Sequence, residues 1–303
     1  MRASVPGLTV LAYLGCALIW STTWFAIRVC IAPGGYPTFG GAAIRFAIAV
    51  AALGALAGLK LVGQGPAGWR ALGWVAAAGL LCGLAYALVY ASETRITGGV
   101  AAVIFGTLPL VTALTTYVAG VERPRASFLA GSVVALAGIA ILYGDRLHAS
   151  SSQGVGVALV FASVWITAAY NLILKQRASG KNPLATSLPF LAAAAVTLAA
   201  FALFSERQPP PWPPPLRPTL ALLYLAIFGS VVAFSLYIYL LRHMTLTAVS
   251  TLLCVEPVLA LLIDALWERE IRLGQRAYAG AALTLVGVAI TFLVPRRAAA
   301  AKG

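Results

Sequence analysis

The chain has 303 residues, 61% of them hydrophobic and only 10% charged, with a mean hydropathy of +0.93. A water-soluble domain usually carries about 25% charged residues, so the composition excludes that class and implies a membrane protein. The formal charge of +13 does not signal nucleic acid, because the basic residues sit in short loops and at the C-terminus and form no single face.

Taken in chain order, the apolar stretches run 8–31, 38–59, 70–91, 98–119, 126–143, 154–174, 184–204, 218–240, 246–266 and 276–294. Each is about the length that crosses a ~30 Å hydrocarbon core at 1.5 Å per residue. They predict an all-α integral membrane protein with ten transmembrane helices. The first run is long and is followed by many more, so it reads as a retained helix and not as a cleaved signal peptide. An even number of spans puts both termini on one side. Twelve basic loop and tail residues on that side against seven on the other make it the cytoplasm, so residues 208–218 are expected outside. The expected location is the plasma (inner) membrane.

The first span carries Trp20 and Trp24, one helical turn apart, and ends near Arg28; the second carries Arg45. Both arginines either snorkel to the outer interface or draw an anionic group inward. The third span offers Tyr86 and Tyr90, the fourth Thr107 and Pro109, and the sixth Phe161, Trp165, Tyr170 and Asn171. Aromatic residues with polar tips at mid-membrane either line a cavity or belong to packing and interface belts, and small polar residues also serve to join helices. Between the seventh and eighth spans the run QPPPWPPPLRP (208–218) predicts a stiff, extended polyproline II loop. The ninth span, within TLLCVEPVLALLIDALW (251–267), places Glu256 roughly 15 Å deep, directly before Pro257. An ionised acid there costs about 2.5 to 3.5 kcal/mol even on lenient scales, so it must face a cavity or a hydrogen-bonding partner. Pro257 cannot donate to the carbonyl of Leu253 and permits a kink. Asp264 lies two turns on, where a helix end among polar groups is expected.

The four cysteines, Cys16, Cys30, Cys82 and Cys254, all fall in spans without a Cys-x-x-Cys or Cys/His cluster, so neither disulfides nor a metal is expected, and no cofactor. Self-comparison aligns FGTLPLVTALTTYVAGVERPRASFLAGSVVALAGIAILYG (105–144) with LCVEPVLALLIDALWEREIRLGQRAYAGAALTLVGVAITF (253–292) after one inserted residue. Pro109, Glu122, Gly131 and Gly138 then meet Pro257, Glu270, Gly280 and Gly287, and ALIWSTTWF meets ASVWITAAY, pairing Trp20 with Trp165. Each half, 1–147 and 148–303, contributes five spans. An odd number makes the second half enter from the opposite side, which predicts an inverted-topology repeat with a substrate site near the midplane. In that scheme Pro109 and Pro257 are equivalent mid-helix breaks. The glycines of the fifth and tenth spans allow close packing or contact with another protomer, and Glu122 and Glu270 are placed to cap helix starts.

These patterns together resemble the EamA family of the drug/metabolite transporter superfamily: Trp20-Ser21 with Phe25, Arg45-Phe46, Pro109 with Glu122 and the Gly131/Gly138 helix, and their second-half counterparts. The likeness covers nearly the whole chain. The second half has no counterpart of Arg45, since the corresponding region reads LAAAAV, so any role of that arginine is asymmetric. The resemblance implies a secondary exporter of small metabolites, among them amino acids, through a cavity lined by the first four helices of each half, acting as monomer or homodimer. Candidate cavity residues are Trp20, Trp24, Tyr86, Tyr90, Thr107, Trp165, Tyr170, Asn171 and Glu256, with helix breaks at Pro109 and Pro257. The alternatives are an integral membrane enzyme acting on lipid-type substrates and a passive pore. The sequence has no phosphate-binding GxxxxGK[ST] loop and no Ser-His-acid set; His148 and His243 fall in loops, and a single buried acid makes no ring of like polar groups.

Overall fold

A computed structural model describes residues 7–59, 68–96, 101, 104–143, 151–177, 182–267 and 275–293. All regular structure in these residues is helical: α1 (Gly7–Cys30), α2 (Thr38–Gly58), α3 (Trp69–Glu93), α4 (Leu108–Val118), α5 (Ala126–Tyr143), α6 (Ser151–Arg177), α7 (Pro183–Ser205), α8 (Leu216–His243), α9 (Leu246–Ser250), α10 (Leu252–Trp267) and α11 (Gln275–Leu293). By length and composition α1, α2, α3, α6, α7 and α8 are able to cross a membrane, while Leu108–Val118, Ala126–Ile141, Leu246–Leu259 and Tyr278–Thr291 are shorter apolar helices. Leucines at 8, 11, 14 and 18 on α1, and Leu203 and Phe204 on α7, face outward, as apolar side chains do when the surrounding solvent is lipid. Glu270, His148 and the C-terminal arginines lie outside the described residues, and of Asp264 the structure describes only its helical backbone.

The sequence halves do not form separate cores. α2 packs on α7, α3 on α6 and α7, α1 on α8 and α10, and α4 on α6 and α9, so nearly every large contact joins one half to the other. One buried cluster runs through both, from Cys16 and Phe46 to Phe190, Phe234 and Leu253. α5 and α11 form a pair of their own. A Cβ added at Gly131 would lie 2.6 Å from the carbonyl oxygen of Gly287, and one at Gly138 2.7 Å from that of Gly280, so the backbones touch where no side chain fits. The glycines are thus used within one chain.

Three local expectations are corrected. Pro109 is the second residue of α4, where its missing donor costs nothing; the break in this segment is the turn at Gly106–Thr107, closed by Thr107 Oγ1 donating to Ile104 O at 2.6 Å. Pro257 lies inside α10, six residues past the actual interruption at Thr251. The two prolines are therefore not equivalent mid-helix breaks. The extended proline-rich segment stops at Pro215, because Leu216 to Pro218 already form the first turn of α8, where a proline is tolerated.

Candidate functional site

α8 contains a feature that positions the site. Residues Ile227–Val232 form a π-turn, in which Ser230 Oγ donates to Leu225 O, five residues back, at 3.1 Å. The widened turn presents the carbonyl of Gly229, which accepts from Trp20 Nε1 at 3.4 Å and from Arg45 Nη2 at 3.1 Å. A Cβ at Gly229 would come within 2.9 Å of Thr23 and 3.1 Å of Arg45, so the contact requires glycine. Arg45 Nε also donates to Ser230 Oγ at 2.9 Å, and the guanidinium lies 5.4 Å from the Tyr86 ring and 5.3 Å from that of Phe46, with Tyr90 beside it. Arg45 is 1% exposed. It therefore does not snorkel, whereas Arg28, in the last turn of α1, is exposed.

This arrangement forms one side of an internal cavity. α1 contributes Trp20, Thr23, Trp24 and Ile27; α2, Arg45; α3, Ala85, Tyr86 and Val89; Phe105 and Leu108 flank the Gly106–Thr107 turn; α6 gives Ser163, Thr167 and Tyr170; α8, Phe234 and Tyr237; α10, Leu253 and Glu256. Three of the aromatic pairs on the walls are edge to face, and Trp20 with Tyr237 is tilted at 48°. Trp20 meets Phe234 at 5.5 Å and Tyr237 at 5.0 Å, Tyr86 meets Phe46 at 5.1 Å, and Trp24 meets Phe105 at 6.2 Å. Glu256 is 3% exposed, and its Oε1 has no hydrogen-bond partner among the described residues; the same holds for Nη1 of Arg45. A buried acid and a buried base thus face one cavity without pairing to each other. Tyr86 stands within electrostatic reach of both.

Of the residues singled out from sequence, Trp20, Trp24, Tyr86, Tyr170 and Glu256 lie on the cavity wall. Tyr90 and Asn171 are buried behind it, and Thr107 serves the turn. Trp165 is a correction. It is 40% exposed and packs against Phe161, itself exposed, at 6.4 Å on the outer face of α6. The cavity face of that helix is Ser163, Thr167 and Tyr170, and a residue two positions from Ser163 points about 200° away. On α1 the lining residues Trp20, Trp24 and Ile27 have the same i, i+4, i+7 spacing as Ser163, Thr167 and Tyr170 on α6. Phe105, Ser163, Phe234 and Tyr237 were not foreseen; Phe234 and Tyr237, one turn apart in an apolar span, carry the same signal as Trp20 and Trp24.

Comparison with known proteins gives the two halves one description. The EamA-like transporter family pattern matches residues 7–144 and again residues 154–293. The chain belongs to the EamA-like transporter family. It is 29% identical over 250 residues to the inner membrane transporter YedA of Escherichia coli strain K12, covering 81% of this chain and 78% of that one. It is also similar to the protein PagO of Salmonella typhimurium (25% over 251 residues, 82% and 81% covered) and to the transporter YwfM of Bacillus subtilis (26% over 205 residues, 68% and 67% covered). A crystal structure at 24% identity superposes with a TM-score of 0.76 over 96% of this chain and 99% of its own, which concerns the fold. With its apolar helices, this EamA-like chain is a multi-pass membrane protein.

Proposed function

We propose that the chain is a secondary exporter of amino acids, in the plasma (inner) membrane with both termini cytoplasmic, working by alternating access to the cavity between its two halves. The observation that carries the reading is the presence, in one aromatic-walled cavity, of a buried acid, Glu256, whose Oε1 is unbonded among the described residues, and a buried arginine, Arg45. Buried charges are costly unless compensated, and a ligand with an ammonium and a carboxylate compensates both at once. The aromatic faces then suit an apolar or aromatic side chain. Ten spans as an inverted repeat are part of this reading. In support, replacing each span by the one five later turns the main pairings into one another: α3 on α6 becomes α8 on α1, and α3 on α7 becomes α8 on α2.

The test is a panel of radiolabelled amino acids and other small metabolites in proteoliposomes, with and without an imposed pH gradient. Saturable uptake competed by neutral amino acids is expected. Chemical turnover of a lipid substrate, or flux that fails to saturate, would refute a carrier.

A further inference from the structure

Two carboxylates remote from the cavity bind helix starts of the opposite half. α2 begins behind Pro37, which supplies no side-chain cap. Its first amides are bound instead by Glu206, the residue that ends α7: Phe39 N donates to Oε1 at 2.6 Å and Gly40 N to Oε2 at 2.7 Å. Gly40 permits the approach, since a Cβ there would stand 3.1 Å from Oε2. In the second case Glu122, after α4, binds the start of α9. Leu246 N donates to Oε1 at 2.6 Å, and Thr247 N and Oγ1 donate to Oε2 at 3.1 and 2.9 Å. Lys175 of α6 completes this cluster by donating to the carbonyls of Leu241 and Met244 at the end of α8.

The two clusters lie at opposite ends of the bundle. Tyr36, just before α2, bonds to Thr219 at the start of α8 at 2.9 Å, whereas α9 follows the end of α8, some 40 Å further along the helix. The cavity residues Phe234 and Tyr237 lie on α8 between them. In each case a loop carboxylate of one half holds a helix of the other, so separating the halves at either end must break one set. Charge-assisted bonds of this kind are strong while formed, yet at the end of a bundle water can replace the carboxylate on the freed amides. That makes them reversible in a way that a mid-membrane contact is not.

We infer that Glu206 and Glu122 are the gating residues of the transporter, carboxylate latches that close the two ends of the cavity and are released one at a time. The inference rests on the transport reading above and adds the residues that control access.

The test uses the full chain with its four native cysteines replaced by alanine and a reporter Ser163→Cys on the cavity wall, labelled by a membrane-impermeant maleimide from either face of sealed vesicles. Glu206→Gln, and Gly40→Ala, which crowds the carboxylate without removing it, should speed labelling from one face. Glu122→Gln and Thr247→Ala should speed it from the other. The expected gain is about tenfold for the glutamine variants, the factor for losing roughly one charge-assisted hydrogen bond from one of two states in equilibrium. Acceleration from the same face in both sets, from both faces equally, or in none of the monodisperse variants overturns the inference. Labelling needs no substrate, so face-specific opening without flux of any compound would refute the transport reading and leave the latches standing.

Discussion

Replacing Glu256 by glutamine keeps the shape of the side chain and removes only its charge. In the structure this carboxyl is 3% exposed and its Oε1 lacks a partner among the described residues, and on the proposed function a ligand ammonium supplies the missing donor. A hydrogen bond to a charged group contributes about 1.5 to 3 kcal/mol, and each 1.4 kcal/mol is tenfold, so Glu256→Gln should weaken amino-acid binding roughly 10- to 150-fold. The empty variant should be about as stable, because the carboxamide keeps the shape of the carboxyl and Oε1 has no hydrogen bond to lose among the described residues. Competition of a radiolabelled amino acid by its des-amino analogue on reconstituted protein reads the effect directly. The wild type should prefer the amino acid by about the stated factor, and the variant should lose the preference. An unchanged preference, or a variant with a markedly lower melting temperature in detergent, would refute the reasoning by returning Glu256 to a structural role.

Trp20→Ala removes a ring packed on Phe234 and Tyr237 and should weaken competition by large amino acids more than by small ones; Trp165→Ala, on the outer face, should leave both within about twofold in the same assay, as surface changes commonly do. Gly131→Val forces a side chain against the Gly287 backbone and should cost about 1 to 3 kcal/mol, read as a drop of several degrees in a thermal-shift measurement, with the cavity ligand preference unchanged. Trp212, 90% exposed in the proline-rich loop, should as Trp212→Cys react with an impermeant thiol reagent on intact cells; protection there reverses the assigned orientation.

Helix positions were legible in the sequence because each is an unbroken apolar run, and eight of the described helices end within a few residues of their predicted bounds. The breaks were less legible. Proline marks where a donor is missing, yet the chain turns at Gly106–Thr107 and at Thr251, and a proline in a first turn, as at position 109, disturbs nothing. The expectation for Trp165 fails for a related reason: a shared letter says nothing of which face it occupies, and on α6 the cavity face is that of Ser163, Thr167 and Tyr170, while Trp165, two residues from Ser163, is on the far side.

The role of Arg45 shows most clearly what one sequence withholds. From the run TFGGAAIRFAIAV (38–50) it is a lone arginine near a helix end, for which snorkelling is the ordinary outcome. Its burial depends on residues almost two hundred positions away: a π-turn that exposes the Gly229 carbonyl, the Ser230 hydroxyl, and a glycine that leaves the space open. None of these has an apolar periodicity to read. Because that receptor lies in the second half and the arginine in the first, the anion-facing wall of the cavity exists only when the halves are assembled, and the second half, which lacks an arginine at the matching place, cannot build it again. A substrate bound between Arg45 and Glu256 would therefore have a fixed direction, set by an arginine that only the first half carries at this place.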